Sequence, residues 1–263
     1  MRGEEPPAFT VVVRARDAAA TLGACLRALS EQLEPVPEVI VVDDGSEDFT
    51  RVIAEVWARE VDPARVGLAR VIAQPPRGAA AARNAGLRAA SAPIVLFTDA
   101  DCRPLPSWTR ALVGALADPA VSAAMGQLGS DQGELVARLA QAEYADKQAA
   151  TAARGPLAFA DTATAAFRAT ALAAVGGFDE SMAAVEDTEL AFRLADAGHR
   201  MAFVRGAAVL HQHPATWADY ARRKFRFGRW GARAYLDHPR RIAGEGRTPA
   251  AMRLQLACGA VVV

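Results

Sequence analysis

The sequence predicts an α/β protein in which helices flank a mainly parallel β-sheet. Short apolar runs alternate with segments whose apolar residues recur at helical spacing, and this alternation is typical of βαβ units. The chain has 263 residues, of which 52% are hydrophobic and 23% are charged. It is therefore long enough to bury a substantial core, and its composition excludes a disordered chain.

Four strands and four helices are predicted in the first 120 residues. The strands are the apolar runs 9–13, 38–42, 70–73 and 93–98. The helices follow them, from Leu22 to Leu33, over 50–59, over 78–90 and over 106–117. Because parallel neighbours need such a crossover segment between them, this order predicts a parallel sheet.

The pattern becomes less regular after residue 120. We predict a strand over 121–127 and helices over 133–150 and 186–198, the last of them closed by Gly198. No Pro/Gly/Ser-rich linker separates two independent domains, so we expect one domain over residues 1–240. Its parts are a first half (8–120), a second half (121–215) and a basic, aromatic helix (216–240), followed by an apolar tail (241–263).

The two ends of the chain bear on its location. The segment MRGEEPPA lacks the apolar core of a signal peptide, and three widely spaced cysteines are typical of a reducing compartment, so we predict a cytoplasmic protein. The end LQLACGAVVV is shorter than the roughly 18 apolar residues of a spanning helix. It is either a core element or the start of a membrane segment cut at Val263, which would place the protein at the inner face of the cell membrane.

The formal net charge is zero, so no nucleic-acid partner is expected.

Polar side chains follow three of the four predicted strands, at the point where each strand ends. The first strand runs into Arg14 and Arg16, the second into Asp44, and the fourth into Asp99 and Asp101. Ligands bind beyond the carboxyl ends of parallel strands, so we expect these groups at one edge of the sheet. Carboxylates there suit Mg²⁺ or Mn²⁺ that carries substrate phosphates. The alternative is that the aspartates only cap turns and helices.

Six motifs occur in the order and spacing of the inverting family-2 glycosyltransferases. They are TVVVRARDAAATLGACLRAL, VIVVDDGSED, RGAAAARNAGLRAA, IVLFTDADCRPLPSW, VGGFDESMAAVEDTELAFRLADAGHRM and VLHQHP. The chain therefore resembles that family over about residues 8–240. The resemblance implies a GT-A fold with a Rossmann-like sheet, a nucleotide-binding half at 8–120 and an acceptor and catalytic half at 121–215. It also implies transfer of a sugar from a nucleotide-diphospho-sugar donor to a hydroxyl of a sugar or lipid-linked acceptor.

The resemblance also implies roles for single residues on the donor side. The nucleotide would be bound by Arg14, Arg16, Asp44 and Arg83, with Asp99 near the ribose. Asp101 would coordinate the Mg²⁺ or Mn²⁺ that bridges the diphosphate. His211 matches a histidine that can complete the metal shell, and His213 is the alternative.

Asp187 matches the family's catalytic base, and Glu186 stands beside it. Sugar transfer requires neutralisation of the leaving diphosphate and removal of the proton from the attacking hydroxyl. At the start of the predicted helix 186–198, exposed backbone N–H groups would keep the carboxylate of Asp187 ionised at neutral pH. One base without a nucleophile predicts a single displacement with inversion. The alternative is that Asp187 only caps the helix.

The acceptor side departs from the family pattern. The loop that commonly reads Gly-Asn-Ala-Ala-Phe is here Ala-Thr-Ala-Ala-Phe, so Thr164 takes the place of the Asn as an acceptor contact. The segment RFGRW resembles the Gln-x-x-Arg-Trp motif of processive synthases, with Arg226 in place of Gln. That resemblance implies that Arg229 meets the diphosphate and Trp230 meets the acceptor.

The segment 217–236 carries the strongest local charge. Four arginines share one helical face, and four aromatic residues are expected on the opposite face: Arg222, Arg226, Arg229 and Arg233, against Trp217, Tyr220, Phe227 and Tyr235. This pattern favours either peripheral contact with an anionic membrane or a surface helix that packs on the domain through its aromatic side.

Two other functions remain open from the sequence. A catalytically inactive module that only binds nucleotide sugars would keep the donor residues. A haloacid-dehalogenase-type phosphatase would also place Asp-x-Asp after a buried strand, but it usually needs a downstream lysine and an acidic pair. The chain has only two lysines, Lys147 and Lys224.

Overall fold

The computed structural model describes residues 8–153 and 161–239. The apolar tail at 241–263, and with it the membrane-segment prediction, lies outside the described residues. In the described part, eight strands form one sheet in the order β3-β2-β1-β4-β7-β6-β8-β5. The strands are β1 (Phe9–Ala15), β2 (Val36–Asp43), β3 (Val66–Ala73), β4 (Ile94–Asp99), β5 (Cys102–Pro104), β6 (Val121–Gly129), β7 (Ala165–Arg168) and β8 (Arg200–His211).

Helices cover both faces of this sheet. They are α1 (Leu22–Ser30), α2 (Thr50–Glu60), α3 (Ala79–Ala89), α4 (Trp108–Ala115), α5 (Leu135–Ala153), α6 (Ala169–Ala174), α7 (Glu186–Asp196) and α8 (Trp217–Asp237). The first four strands pair in parallel, whereas β7 runs antiparallel to both β4 and β6. The predicted α/β class and the mainly parallel sheet of the first half are confirmed. No helix of the described ranges has both the length and the apolar character to cross a membrane.

Two hydrophobic cores lie on opposite faces of the sheet. Val11 and Val13 of β1 pack in one core with Trp108, and Val12 packs in the other with Phe97. Successive side chains of a strand point to opposite faces, so a strand that is covered on both sides is an unbroken apolar run. For this reason the segment FTVVV was sufficient to predict β1.

Strands β1, β2 and β4 end together at one edge of the sheet. In the strand register, Ala15 lies opposite Asp43 and Arg14 lies opposite Asp99. The polar residues that follow these strands therefore gather on one rim, as predicted. This rim is where the candidate site forms.

The second half of the sheet brings a distant segment to the same rim. β5 pairs antiparallel with β8, and Cys102 lies opposite His211. The sequence pattern predicted no strand at 102–104. A three-residue strand has no periodicity of its own, and β5 exists because β8 supplies its hydrogen-bond partners.

The basic, aromatic helix is α8, and it packs against α5. The hydroxyl of Tyr220 donates to Glu143 at 2.6 Å. All four arginines of the predicted row are exposed, as expected for that face: Arg222, Arg226, Arg229 and Arg233. Trp217 was expected to pack on the domain with the other aromatic residues, and this was wrong, because 57% of its surface is exposed. It lies at the first residue of the helix, beyond the surface that α5 covers.

Candidate active site

Asp101 and His211 face each other at the rim. The Nε2 atom of His211 lies 3.6 Å from Oδ2 of Asp101, because β5 and β8 pair next to the end of β4. Together with Cys102 they form a group whose ligand atoms all lie within 4.8 Å of one another. Asp101 and His211, the two predicted metal ligands, thus lie close together although 110 positions separate them in the sequence.

The chemistry of this group favours an oxygen and nitrogen ligand set. Burial and the neighbouring Asp101 raise the pKa of Cys102 well above its ordinary value, so its thiol is protonated and lies 3.6 Å from Oδ1 of Asp101. Burial also lowers the pKa of His211 to about 4, and the imidazole is neutral at neutral pH, as a ligand must be. One carboxylate and one neutral imidazole fit Mg²⁺ or Mn²⁺, and they leave other coordination positions for phosphate oxygens.

A chain of hydrogen bonds determines which nitrogen of His211 faces Asp101. The side-chain N–H of Gln141 donates to the carbonyl of Leu128 at 3.1 Å, so its oxygen accepts from Nε2 of His213 at 2.9 Å. His213 is then an acceptor at Nδ1, which lies 3.2 Å from Nδ1 of His211. His211 therefore carries its proton on Nδ1, and its Nε2 lone pair points to Asp101.

Burial and the charge of Asp99 raise the pKa of Asp101 to about 6. A buried carboxylate beside a second carboxylate favours the binding of a cation, because a bound positive charge would stabilise the ionised form of both. Asp99 itself has a different partner. Burial opposes its ionisation, but Arg83 and Arg14 outweigh the burial and hold its pKa below the ordinary value.

Arg83 is a correction to the predicted donor site. It is buried on α3, and its guanidinium donates to Asp99 at 2.8 Å and also to Glu186. Two carboxylates thus occupy its terminal nitrogens, and its Nε, which has no hydrogen-bond partner among the described residues, is buried. Arg83 therefore has no accessible donor for a nucleotide base. Gly86 permits this position, because a Cβ at Gly86 would lie 2.3 Å from the side chain of Val12, so only glycine lets α3 approach β1 this closely.

Glu186 and Asp187 begin α7, directly after a strained residue. Val185 has a positive φ of 56°, which is uncommon for a β-branched side chain. This turn directs Glu186 to Arg83. Asp187 accepts a hydrogen bond from the backbone N–H of Thr188 at 2.6 Å.

The pKa of Asp187 is higher than expected for a carboxylate at the start of a helix. The N-terminus of α7 was expected to keep this carboxylate strongly ionised. Instead burial, with the charges of Asp161 and Glu186, raises the pKa of Asp187 to about 7. Desolvation and two like charges outweigh the partial positive charge of a helix end. A carboxylate with this pKa is suited to accept a proton near neutral pH.

The other predicted donor residues have distinct environments. Asp44 is fully buried and accepts from the backbone N–H groups of Arg77 and Gly78 at 2.8 and 2.9 Å, so it shapes the loop after β3. Arg16 lies 4.0 Å from Asp44 and is partly exposed. Arg14 places its buried Nε at the rim with no hydrogen-bond partner among the described residues, and its charge acts on both Asp99 and Asp101.

The two predicted acceptor residues, Thr164 and Trp230, lie in different parts of the structure. Thr164 is a correction: it is fully buried, and its hydroxyl accepts from the indole N–H of Trp108 at 2.9 Å. It supports the core beneath the site and is not available to an acceptor. Trp230 is half-buried on α8, and the guanidinium of Arg233 lies 5.4 Å from its ring centroid. Arg229 points to solvent on the same helix.

The sequence reasoning missed Arg223. Its guanidinium donates to the hydroxyl of Tyr144 at 3.0 Å, and its charge acts on both Asp101 and His211. The helical spacing contained the signal, because Arg223 comes three residues after Tyr220 and four before Phe227. An arginine on the aromatic face of a helix is directed into the protein. Asp161, whose charge raises the pKa of Asp187, was missed as well.

The chain matches the model of the family described as glycosyltransferase like family 2 over residues 6–229. It is 32% identical over 247 residues to the pre-mycofactocin glycosyltransferase of Mycobacterium tuberculosis, which covers 89% of this chain and 49% of that protein. It is 27% identical to the glycosyltransferase AglE of Haloferax volcanii, over 85% of this chain and 72% of that protein. The chain spans about half the length of the mycobacterial relative.

Solved structures show the same fold. The mannosyltransferase PcManGT of Pyrobaculum calidifontis, in complex with GDP-Man and Mn²⁺, has a TM-score of 0.75 at 24% identity, with 98% of this chain and 74% of that chain covered. TarS 1–349 of S. aureus with UDP-GlcNAc has a TM-score of 0.63 at 18% identity, with 96% and 71% covered. The family match and the 32% identity to the mycobacterial glycosyltransferase leave no place for the phosphatase interpretation. The chain belongs to glycosyltransferase family 2 and has the GT-A fold.

Proposed function

We propose that this chain is an inverting glycosyltransferase that uses a nucleotide-diphospho-sugar donor and Mg²⁺ or Mn²⁺. One observation carries the proposal: a single buried guanidinium, that of Arg83, joins the metal side of the site to the base side. It binds Asp99, two residues from Asp101, and it binds Glu186, next to Asp187. The carboxylates that stand beside candidate metal ligand Asp101 and candidate base Asp187 in the sequence are thus bound to one guanidinium.

On the donor side, Asp101 and His211 would hold the cation. Bound there, Mg²⁺ or Mn²⁺ would neutralise the charge that develops on the leaving diphosphate. Arg14 and Arg223 add positive charge beside Asp101. Two structural neighbours support this donor class, since one was solved with GDP-Man and Mn²⁺ and another with UDP-GlcNAc.

On the acceptor side, Asp187 would take the proton of the attacking hydroxyl. The hydroxyl oxygen forms a bond to the anomeric carbon as the bond from that carbon to the diphosphate oxygen breaks, and the proton passes to the carboxylate of Asp187. No side-chain nucleophile enters this scheme. A single displacement from the opposite face inverts the anomeric configuration.

The test is a transfer assay with UDP- and GDP-sugars, a panel of sugar and lipid-linked acceptors, and Mn²⁺. We expect nucleoside diphosphate release that EDTA abolishes, and a product with inverted anomeric configuration by NMR. Asp187→Asn should lose turnover, whereas Asp196→Asn, at the other end of the same helix, should not. Donor binding without release for every donor and acceptor would instead identify an inactive binding module, and a retained anomeric configuration would refute the single displacement.

A further inference from the structure

A cavity of about 170 Å³ lies between α5 and α8, beside the candidate active site. Aromatic rings from both helices line it, including Tyr144 of α5 with Tyr220 and Phe227 of α8. A cavity of about 150 Å³ is enough to hold a benzene ring. The space between α5 and α8 is therefore large enough for one ring or a short apolar segment.

Among the charged residues that line this cavity, cations outnumber carboxylates. Lys147, Arg223 and Lys224 line it, and Glu143 is the one carboxylate among its lining residues. Glu143 already accepts from the hydroxyl of Tyr220 at 2.6 Å and from the ammonium of Lys224. Burial lowers the pKa of Lys147 from its ordinary value, and Glu143 balances Lys224, so the positive excess within the lining rests mainly on Arg223.

Two of the three cations, Arg223 and Lys224, contact aromatic rings of the lining. The guanidinium of Arg223 lies 5.1 Å from the ring centroid of Phe227, and its N–H donates to the hydroxyl of Tyr144 at 3.0 Å. The ammonium of Lys224 lies 5.2 Å from the ring centroid of Tyr220. Contacts of this kind fix long side chains in one orientation, which lowers the entropy lost when an anion binds.

Two rings that line the cavity, those of Tyr144 and His213, lie next to the candidate metal ligand His211. His213 lines the cavity, and its ring centroid lies 5.3 Å from that of Tyr144 and 4.7 Å from that of His211. His211 in turn lies 3.6 Å from Asp101. A molecule anchored in the cavity would therefore lie one ring away from His211, close enough to extend toward the site.

We propose that this cavity binds the anionic end of the acceptor, a phosphate or carboxylate group carried on a compact aromatic or apolar body. The identification of the ligand as the acceptor rests on the proposed function. The cationic excess favours an anionic group, and the aromatic rings and the cavity volume favour a compact aromatic or apolar body. The position next to His213 would direct the acceptor's hydroxyl end toward the reacting atoms. The donor diphosphate is not the proposed occupant, because its phosphates are expected at Asp101 and His211.

The test uses three probes of similar size: phenyl phosphate, benzoate and uncharged phenol. Each is titrated into the protein by isothermal titration calorimetry, with and without saturating UDP or GDP and Mn²⁺. We expect the anionic probes to bind more tightly than phenol, and to bind equally well when the nucleotide is present. The tighter of phenyl phosphate and benzoate identifies the anionic group.

Two variants change the charge of the cavity in opposite directions. Lys224→Gln should weaken the binding of phenyl phosphate by about fivefold, and Glu143→Gln should strengthen it by about the same factor. Arg222→Gln is the matched control, since Arg222 points to solvent from the same helix and pairs with Asp219, and the titration should not change. Because the two cavity variants predict opposite signs, a general loss of folding cannot reproduce the result.

Equal affinities for phenol and phenyl phosphate, or displacement of phenyl phosphate by UDP or GDP, would overturn the proposal. Failure of the nucleotide to bind would refute the proposed function instead. If phenyl phosphate still responds to both variants in that case, the anion site stands and only its assignment to the acceptor is lost.

Discussion

Asp187→Asn should remove activity and make the protein more stable at high pH. Burial and the charges of Asp161 and Glu186 raise the pKa of Asp187 from 3.8 to about 7. A carboxyl group whose pKa is higher in the folded than in the unfolded state binds more protons in the folded state, so its effect on stability becomes unfavourable as the pH rises. The asparagine amide has nearly the same shape and carries no charge, so it removes this cost.

The magnitude follows from the two pKa values. Ionising Asp187 in the folded state costs roughly 4 kcal/mol more than in the unfolded chain, at 1.36 kcal/mol per pH unit. Part of the gain is lost because an amide is a weaker acceptor than a carboxylate for the backbone N–H of Thr188. We therefore expect Asp187→Asn to raise the free energy of unfolding at pH 8 by about 2 kcal/mol, and the melting temperature by about 4–8 °C.

The assay compares thermal melts of the wild type and the variant from pH 4 to pH 8, beside transfer kinetics. The stability gain should be full above pH 7 and should disappear as the pH falls toward 4, where Asp187 is protonated in both states. Turnover should fall by a factor on the order of 10² to 10⁴ while donor binding stays near normal. A variant that melts below the wild type at pH 8, or that transfers sugar at the normal rate, would refute the reasoning.

Three further predictions concern the metal ligands and α8. Asp101→Ala should abolish the dependence of UDP or GDP binding on Mn²⁺, and titration curves identical to the wild type would contradict the metal assignment. Gln141→Leu should weaken Mn²⁺-dependent nucleotide binding by about 10-fold, because His213 loses the acceptor that orients His211. Gln141→Glu keeps an acceptor and should retain most of the affinity. Equal losses in both variants would point to a packing effect. The exposed arginine row of α8 should make the protein co-sediment with anionic vesicles in a salt-dependent way, and sedimentation that does not respond to lipid charge would leave α8 as a surface helix.

Local chemistry accounts for the part of the protein that could be predicted from the sequence. Strands buried on both faces are continuous apolar runs, so β1, β2 and β4 were evident, and parallel strands that end together must gather Arg14, Asp99 and Asp101 on one rim. Both the fold class and the convergence of Asp101 with His211 agreed with the sequence interpretation. The family could be identified because its motifs are short, local and ordered along the chain.

Tertiary structure decided which of these side chains are available. Thr164 is buried against Gly126 of β6 and Trp108 of α4, and Arg83 is buried beside Glu186 of α7. The sequence around Thr164 and Arg83 contains no pattern that predicts these contacts.

The pKa of Asp187 depends on Asp161, 26 residues away in sequence, and Arg223 reaches the site only because α8 packs on α5. The sequence by itself determined the strands and helices of the first half other than β5, and the residue types at their ends, since these depend on neighbours within a few positions. Burial, charge coupling and the pairing of β5 with β8 depend on contacts between distant segments, and only the folded chain establishes them.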